Sequence, residues 1–187
     1  MDECVSIKAP FDKETARTLQ AGQHVLLYGV IFGARDQAHR SFAEDLARGM
    51  DLPVDLRGQV IYYVGPTPGR PGRAIGAAGP TTSGRMDPFT PQLLDYGVRG
   101  MIGKGNRSTE VIASIQQHGA VYLAATGGAG ALLSRHIKEA QVVAYHDLGT
   151  EALWLFVVED FPAIVAIDSR GQNLYQTGPA SYRRIGG

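Results

Sequence analysis

Apolar positions along the chain fall into short continuous runs, separated by amphipathic stretches and glycine-rich turns. Val25–Phe32 is a continuous apolar run, the pattern of a strand buried on both faces. Gln59–Val64, rich in Ile, Tyr and Val, predicts a second strand, and Val98–Ile102 and Val121–Ala125 predict two more. Between the first two, Arg35–Met50 sets Ala38, Phe42, Leu46 and Met50 on one helical stripe. Ser108 or Thr109 can cap a helix running through His118. Shorter helices are expected near Asp12–Leu19, inside an entry segment covering residues 1–23, and from Ala131 to about Lys138. Strand candidates at Gln141–Tyr145, Leu153–Val158 and Ala163–Ile167 follow, and Asp168-Ser169-Arg170-Gly171 has the composition of a turn.

Strands alternating with helices, with extra strands near the C-terminus, argue for an α/β fold with a mixed sheet and flanking helices. A plain doubly wound domain is the other arrangement this periodicity allows. The 187 residues fit a single domain, 1–187, large enough to bury a proper core. Gly65–Gly79 is a stretch of Gly, Pro, Arg and Ala that reads as a loop, long enough to suggest a functional loop or lid. A helical turn should begin around Thr81, limited by Pro88 and Pro91.

Lys+Arg and Asp+Glu each number 18, so no global field argues for a nucleic-acid or membrane partner. The balance is uneven along the chain. Gly65–Arg107 holds six basic residues against two acids, and Glu139–Asp168 holds six acids with no Lys or Arg. The single cysteine, Cys4, excludes an intrachain disulfide and any cysteine-ligated metal or cluster built by this chain alone. No apolar run approaches the ~18 residues of a membrane span, and the first residues lack the basic flank and apolar core of a signal peptide. A cytoplasmic protein is expected.

Candidate chemistry concentrates in Gly79-Pro80-Thr81-Thr82-Ser83-Gly84-Arg85-Met86-Asp87 and Gly103-Lys104-Gly105-Asn106-Arg107-Ser108. Hydroxyls, a guanidinium and an ammonium among glycines can hold a small dianion through charge-assisted hydrogen bonds. Thr81 and Arg85 stand four apart at a loop-to-helix junction, and Arg35 and His39 repeat that relation at the end of the first predicted strand. Arg35 can bind a carboxylate with His39 acting as, or orienting, an acid/base group; alternatively, Arg35 pairs with Asp36 or Glu44 and leaves His39 solvated. The spacing of a nucleotide-binding phosphate loop is absent around Lys104. Thr126-Gly127-Gly128-Ala129-Gly130 suits a tight turn more than an anion cradle, and His118, His136 and His146 show no metal-ligand spacing.

Together with Gly33-Ala34-Arg35-Asp36-Gln37-Ala38-His39-Arg40 and the Gly127-Gly128 turn, these motifs resemble the iron–sulfur hydro-lyase family of class I fumarases and L-tartrate dehydratases, specifically its C-terminal or β-subunit part. The resemblance runs from about Leu26 to Gly171 and is carried by the order and spacing of all the motifs together. It implies a swivelling β/β/α domain forming one wall of an active site. The other wall, an α subunit or N-terminal domain, would carry a 4Fe–4S cluster that this chain does not bind itself. It further implies Arg35, Arg85 and Lys104 as substrate-binding cations, Thr81 as the base for the C3 proton, and His39 as a competing assignment for the active-site residue. Fumarate and malate are the expected substrates, because the residues after Thr81-Thr82 and after Lys104-Gly105 look like fumarase versions of the motifs. A hetero-oligomer acting on a small dicarboxylate is therefore expected. An L-tartrate dehydratase β subunit and a non-catalytic dicarboxylate-binding module are the alternatives.

Overall fold

A computed structural model describes residues 4–182 of the chain. Its elements run β1 (Val5–Ala9), α1 (Lys13–Thr18), β2 (His24–Gly33), α2 (Asp36–Ala47), β3 (Val60–Tyr62), α3 (Thr90–Tyr96), β4 (Gly100–Gly103), α4 (Thr109–His118), β5 (Val121–Ala124), α5 (Gly130–Leu133), β6 (Ile137–Ala144), β7 (Leu153–Ile167) and α6 (Leu174–Tyr182). Seven strands form one mixed sheet in the order β1-β2-β3-β4-β5-β7-β6. The strands β1 to β5 pair in parallel, whereas β7 runs antiparallel to β2, β5 and β6.

The extra pairing of β2 with β7 closes β2-β3-β4-β5-β7 into a ring. One apolar cluster fills the side holding Val25, Leu27, Val60, Tyr62, Leu123 and Phe161. A second lies where Phe42 of α2, Leu93 and Leu94 of α3, and Val111 and Ile115 of α4 meet Ile61, Tyr63, Met101 and Tyr122. Residues 60 to 64 alternate strictly between the two clusters, which is why this run is apolar throughout. Among the described residues no helix is long and apolar enough to cross a membrane.

Several expectations are corrected. The entry segment contains β1, whose apolar Val5, Ile7 and Ala9 alternate with Ser6 and Lys8, a period-2 signal in the sequence itself. The predicted helix Ala131–Lys138 stops at Leu133; Ser134–His136 form a 3-10 turn, and Ile137 already pairs with Val158. Pairing against a long neighbouring strand overrides a weak helical pattern there. The two predicted strands Leu153–Val158 and Ala163–Ile167 are one strand, bent where Asp160 takes a φ of 49°. The stripe of α2 ends at Ala47, after which Gly49 turns left-handed and Met50 lies exposed. The helix predicted after the second chemical motif starts as expected, with Ser108 Oγ accepting from Val111 N–H at 3.2 Å.

Gly103 ends β4 against the segment that carries Thr81, and a Cβ there would collide with Ser83 Oγ and the Tyr63 ring. Gly103→Ala is expected to lower stability by about 1–3 kcal/mol through overpacking. Urea unfolding of the two proteins measures it; equal midpoints would contradict this close approach.

Candidate active site

The parallel strands β2 to β5 deliver their C-terminal ends to one edge of the sheet, where ligands gather in open α/β folds. Arg35 follows β2 directly and stands at the N-cap of α2 with extended backbone and no side-chain cap. Its Nε donates to Asp36 Oδ2 at 3.0 Å, and its Nη2 lies 3.5 Å from Glu151 Oε1. The other Glu151 oxygen accepts the Gln37 backbone N–H at 3.0 Å. Arg35 thus pairs with Asp36, one of the two partners offered by the sequence, and with Glu151.

Thr81 leaves the long loop by donating its N–H to Tyr63 O at 2.8 Å, beside the end of β3. Thr82 then bridges to Lys104, and Ser83 N–H donates to Lys104 O at 2.9 Å, so the segment lies against the end of β4. Ser83–Met86 coil into a 3-10 turn that sends Arg85 back over Thr81. Arg85 grips Asp36 by two nitrogens, Nε to Oδ1 at 2.9 Å and Nη2 to Oδ2 at 3.0 Å, and the same Nη2 donates to Thr81 Oγ1. Partial burial works to raise the Asp36 carboxyl. Hydrogen bonds from its own backbone and from Arg35, with the charges of Arg85 and Arg35, outweigh that effect and hold it below its ordinary value.

The structure therefore joins Arg35, Thr81 and Arg85 in one hydrogen-bonded group centred on Asp36. Lys104 is their neighbour through the backbone, its side chain extending over Gly127. Among the described residues, the Lys104 ammonium and Nη1 of Arg35 and of Arg85 make no hydrogen bond, and Arg35 Nη1 lies beside Gly65. Arg85 and Lys104 are exposed and Arg35, Asp36 and Thr81 half-buried, so the group forms a ledge at the surface. A cavity of about 530 Å³ between β1 and α1, lined by Ile7, Phe11, Leu19 and Arg57, lies outside this group.

Beneath the ledge is a residue given no role by the sequence reading. Arg107 is buried with its guanidinium 5.3 Å from the ring centre of Tyr63 and 5.0 Å from that of Tyr122. Its Nε donates to Asp87 Oδ1 at 2.7 Å and its Nη2 to Thr90 Oγ1 at 2.7 Å. Asp87 Oδ2 accepts Ser108 N–H at 2.7 Å, so one carboxylate ties both chemical motifs together. Ser83 Oγ lies 2.9 Å from Tyr122 OH, which donates to Gly105 O at 2.9 Å and locks the turn after Lys104. The only sequence signal was the co-occurrence of Asp87 and Arg107, twenty residues apart, and no helix or strand period links them.

His39 is fully buried. Its ring packs 5.2 Å from Tyr63, 5.7 Å from Phe42 and 6.2 Å from Phe89, centre to centre. Nδ1 lies 3.0 Å from Arg35 O, which can only accept, so Nδ1 carries the proton and the buried Nε2 lacks a partner. Burial, aided by the Arg107 charge, pushes its pKa down to about 4 against hydrogen bonding to Arg35 and the Asp36 charge. The neutral imidazole underpins Arg35 and makes no hydrogen bond to Thr81. Neither the solvated reading nor direct contact with a ligand on the ledge agrees with this burial.

Among the described residues no group of three or more His, Cys, Asp or Glu is placed to hold a metal ion, and the one cysteine, Cys4, is exposed. These donors do not fit an iron–sulfur cluster held by this chain.

Residues 2–178 match the family described as Fumarase C-terminus. The chain is 38% identical to Fumarate hydratase 2 of Leishmania major over 175 residues, which cover 91% of this chain and 31% of that protein. It is 42% identical to the aerobic class I fumarate hydratase of Salmonella typhimurium over 152 residues, covering 80% and 26%. A Methanocaldococcus jannaschii protein provisionally named L(+)-tartrate dehydratase subunit beta is 36% identical over 170 residues, covering 88% and 87%. The chain thus spans about a third or less of the fumarate hydratases it matches, and nearly the whole of the last relative.

Burial of a neutral His39 has a pH signature. Its folded pKa of about 4 lies below the ordinary 6.5, so the unfolded chain takes up the proton first. The stability contributed by the neutral ring is full above about pH 6.5 and is lost as pH falls toward 4, on the order of 3 kcal/mol in all. Urea unfolding across that window should show a steeper acid loss for the parent than for His39→Leu. Identical slopes would contradict the buried neutral imidazole.

Proposed function

This chain belongs to the Fumarase C-terminus family, and from that premise we propose that it is the substrate-gripping and proton-transferring wall of a hydro-lyase that interconverts (S)-malate and fumarate. The observation that carries this reading is the direct linkage of Arg35, Thr81 and Arg85 at the strand ends, with Lys104 beside them. The facing wall is a partner, an α subunit or an N-terminal part, that holds the 4Fe–4S cluster. The complex is a cytoplasmic hetero-oligomer, and this chain is its swivelling β/β/α unit.

On this reading the free Nη1 nitrogens of Arg35 and Arg85 and the Lys104 ammonium grip the two carboxylates of the diacid. Removing a proton from C3 builds negative charge on the adjacent carboxylate, and fixed cations at that carboxylate stabilise the transition state more than the ground state. Thr81 Oγ1, as its alkoxide, takes the C3 proton and becomes the neutral hydroxyl, while the C2 hydroxide of malate leaves on the side of the partner. An unassisted hydroxyl is a poor base, but the Arg85 hydrogen bond to Thr81 Oγ1 favours the alkoxide by placing positive charge against it. His39 acts through Arg35, whose carbonyl it holds.

A second reading, an L-tartrate dehydratase β subunit giving oxaloacetate, is favoured by the near-complete coverage of the tartrate dehydratase relative. Co-expression with a cluster-bearing partner, anaerobic reconstitution and assay of malate, fumarate and tartrate separates the two. Faster turnover of malate is expected; faster turnover of tartrate would transfer the assignment to the second reading.

In that reconstituted enzyme, Arg85→Lys should lower kcat/KM by about a hundredfold, because an ammonium cannot grip Asp36 with two nitrogens and reach Thr81 together. Near-parental activity would remove Arg85 from the site. Thr81→Ser should stay within roughly tenfold of the parent, and Thr81→Ala should lose about 10²–10⁴-fold, the usual contribution of a general base. Equal activity in the two Thr81 variants would exclude it as the base.

A further inference from the structure

We propose that Asp36 is a positioning residue of the reaction, holding Arg85 by its inner edge so that one nitrogen polarises Thr81 while the outer nitrogen stays open to substrate. The inference rests on the hydro-lyase reading above and adds a carboxylate to a site otherwise composed of cations and a hydroxyl.

The geometry of Arg85 carries it. The Nε and Nη2 nitrogens form the edge of a guanidinium nearest its own side-chain stem, and both are engaged by the two oxygens of Asp36, at 2.9 and 3.0 Å. The remaining capacity of Nη2 goes to Thr81 Oγ1. Nη1, at the outer end, has no partner among the described residues. A hydrogen bond from Nη2 with an ion-pair contact at Nε, on the two oxygens of one carboxylate, fixes the plane of the guanidinium as well as its place, which a single contact does not. Asp36 is itself fixed: it is the first residue of α2, and its Oδ2 also accepts Arg35 Nε at 3.0 Å. One carboxylate thus sets the mutual orientation of both arginines. Glu151 plays the matching part behind Arg35, 3.5 Å from its Nη2.

A negative charge beside an anion site also opposes the binding of a diacid. If Asp36 acted only through its charge, as an internal stand-in for the substrate carboxylate, neutralising it would tighten binding and raise the alkoxide fraction of Thr81. If it positions Arg85, neutralising it leaves Arg85 free to rotate, and the rate falls. The two roles have opposite signs.

The test is a double-mutant cycle in the enzyme reconstituted with its cluster-bearing partner, using Asp36→Asn, Arg85→Lys and the pair, with kcat and KM measured for malate. Asp36→Asn should lower kcat by about a hundredfold, the scale of a misplaced catalytic group, with a smaller change in KM. The double variant should be hardly slower than Arg85→Lys alone, because both changes disable the same contact. Asp36→Glu, which keeps the carboxylate, should recover part of the lost rate. Multiplying losses in the double variant, or an Asp36→Asn enzyme that is faster or binds malate more tightly, would overturn the proposal. An unsubstituted enzyme that turns over neither malate nor tartrate would sink the hydro-lyase reading and this inference with it. An active parent with either overturning result sinks this inference alone.

Discussion

The geometry of the ledge depends on a buried cation. Arg107 sits between two tyrosine rings with its side chain sealed from solvent, and Asp87 is its only carboxylate among the described residues. Leaving such a charge unpaired costs about 3–5 kcal/mol, a large share of the stability of a domain this size. Asp87 therefore stays with Arg107, and in doing so it holds the end of the Thr81–Met86 segment against the start of α4. The buried Ser83–Tyr122–Gly105 chain of hydrogen bonds adds a second tie between the same two stretches. Thr81, Arg85 and Lys104 inherit their places from these contacts below them.

Above that clamp the balance of forces changes. The Arg85–Asp36 pair is nearly half-exposed at its arginine, and pairs of that kind contribute about 0–1 kcal/mol. Its worth is orientation. Strong, dry interactions fix the backbone from below, and weak, wet ones aim the side chains that face outward. Arg85 and Lys104 are exposed, and Arg35 and Arg85 are held from behind by Asp36 and Glu151. Exposure of this kind accords with the proposed site between two structural units, and the fumarate hydratases this chain matches are about three times as long as it is.

How much was legible in the sequence follows from the range of the forces involved. Residues 60 to 64 were readable as a strand because both faces of that run are buried, which leaves an apolar signature needing no partner to interpret. The α4 cap was readable because Ser108 acts three residues away. The break of the predicted Ala131–Lys138 helix was not, since it is decided by pairing of Ile137 with Val158, twenty-one residues on. At the site, the i,i+4 spacing placed Arg85 over Thr81 correctly, a contact within one turn. The same spacing linked Arg35 and His39, yet the ring turned inward, because the wall formed by Tyr63 and Phe89 comes from other parts of the chain. Arg107 escaped notice for the same reason, and Asp36 was read only as a partner for Arg35, its neighbour in the chain, and not for Arg85. Their partners lie twenty and forty-nine residues away, where no periodicity reaches.

The central claim is that Arg35, Arg85 and Lys104 together hold one diacid with Thr81 at its C3 carbon. A structure of the assembled enzyme with malate or an unreactive dicarboxylate bound tests it most directly. The account predicts all three cations within hydrogen-bond reach of the ligand's two carboxylates, Thr81 Oγ1 against the carbon that loses its proton, and Asp36 still on the inner edge of Arg85. A diacid bound wholly by the partner, with these side chains unchanged and out of contact, would contradict it.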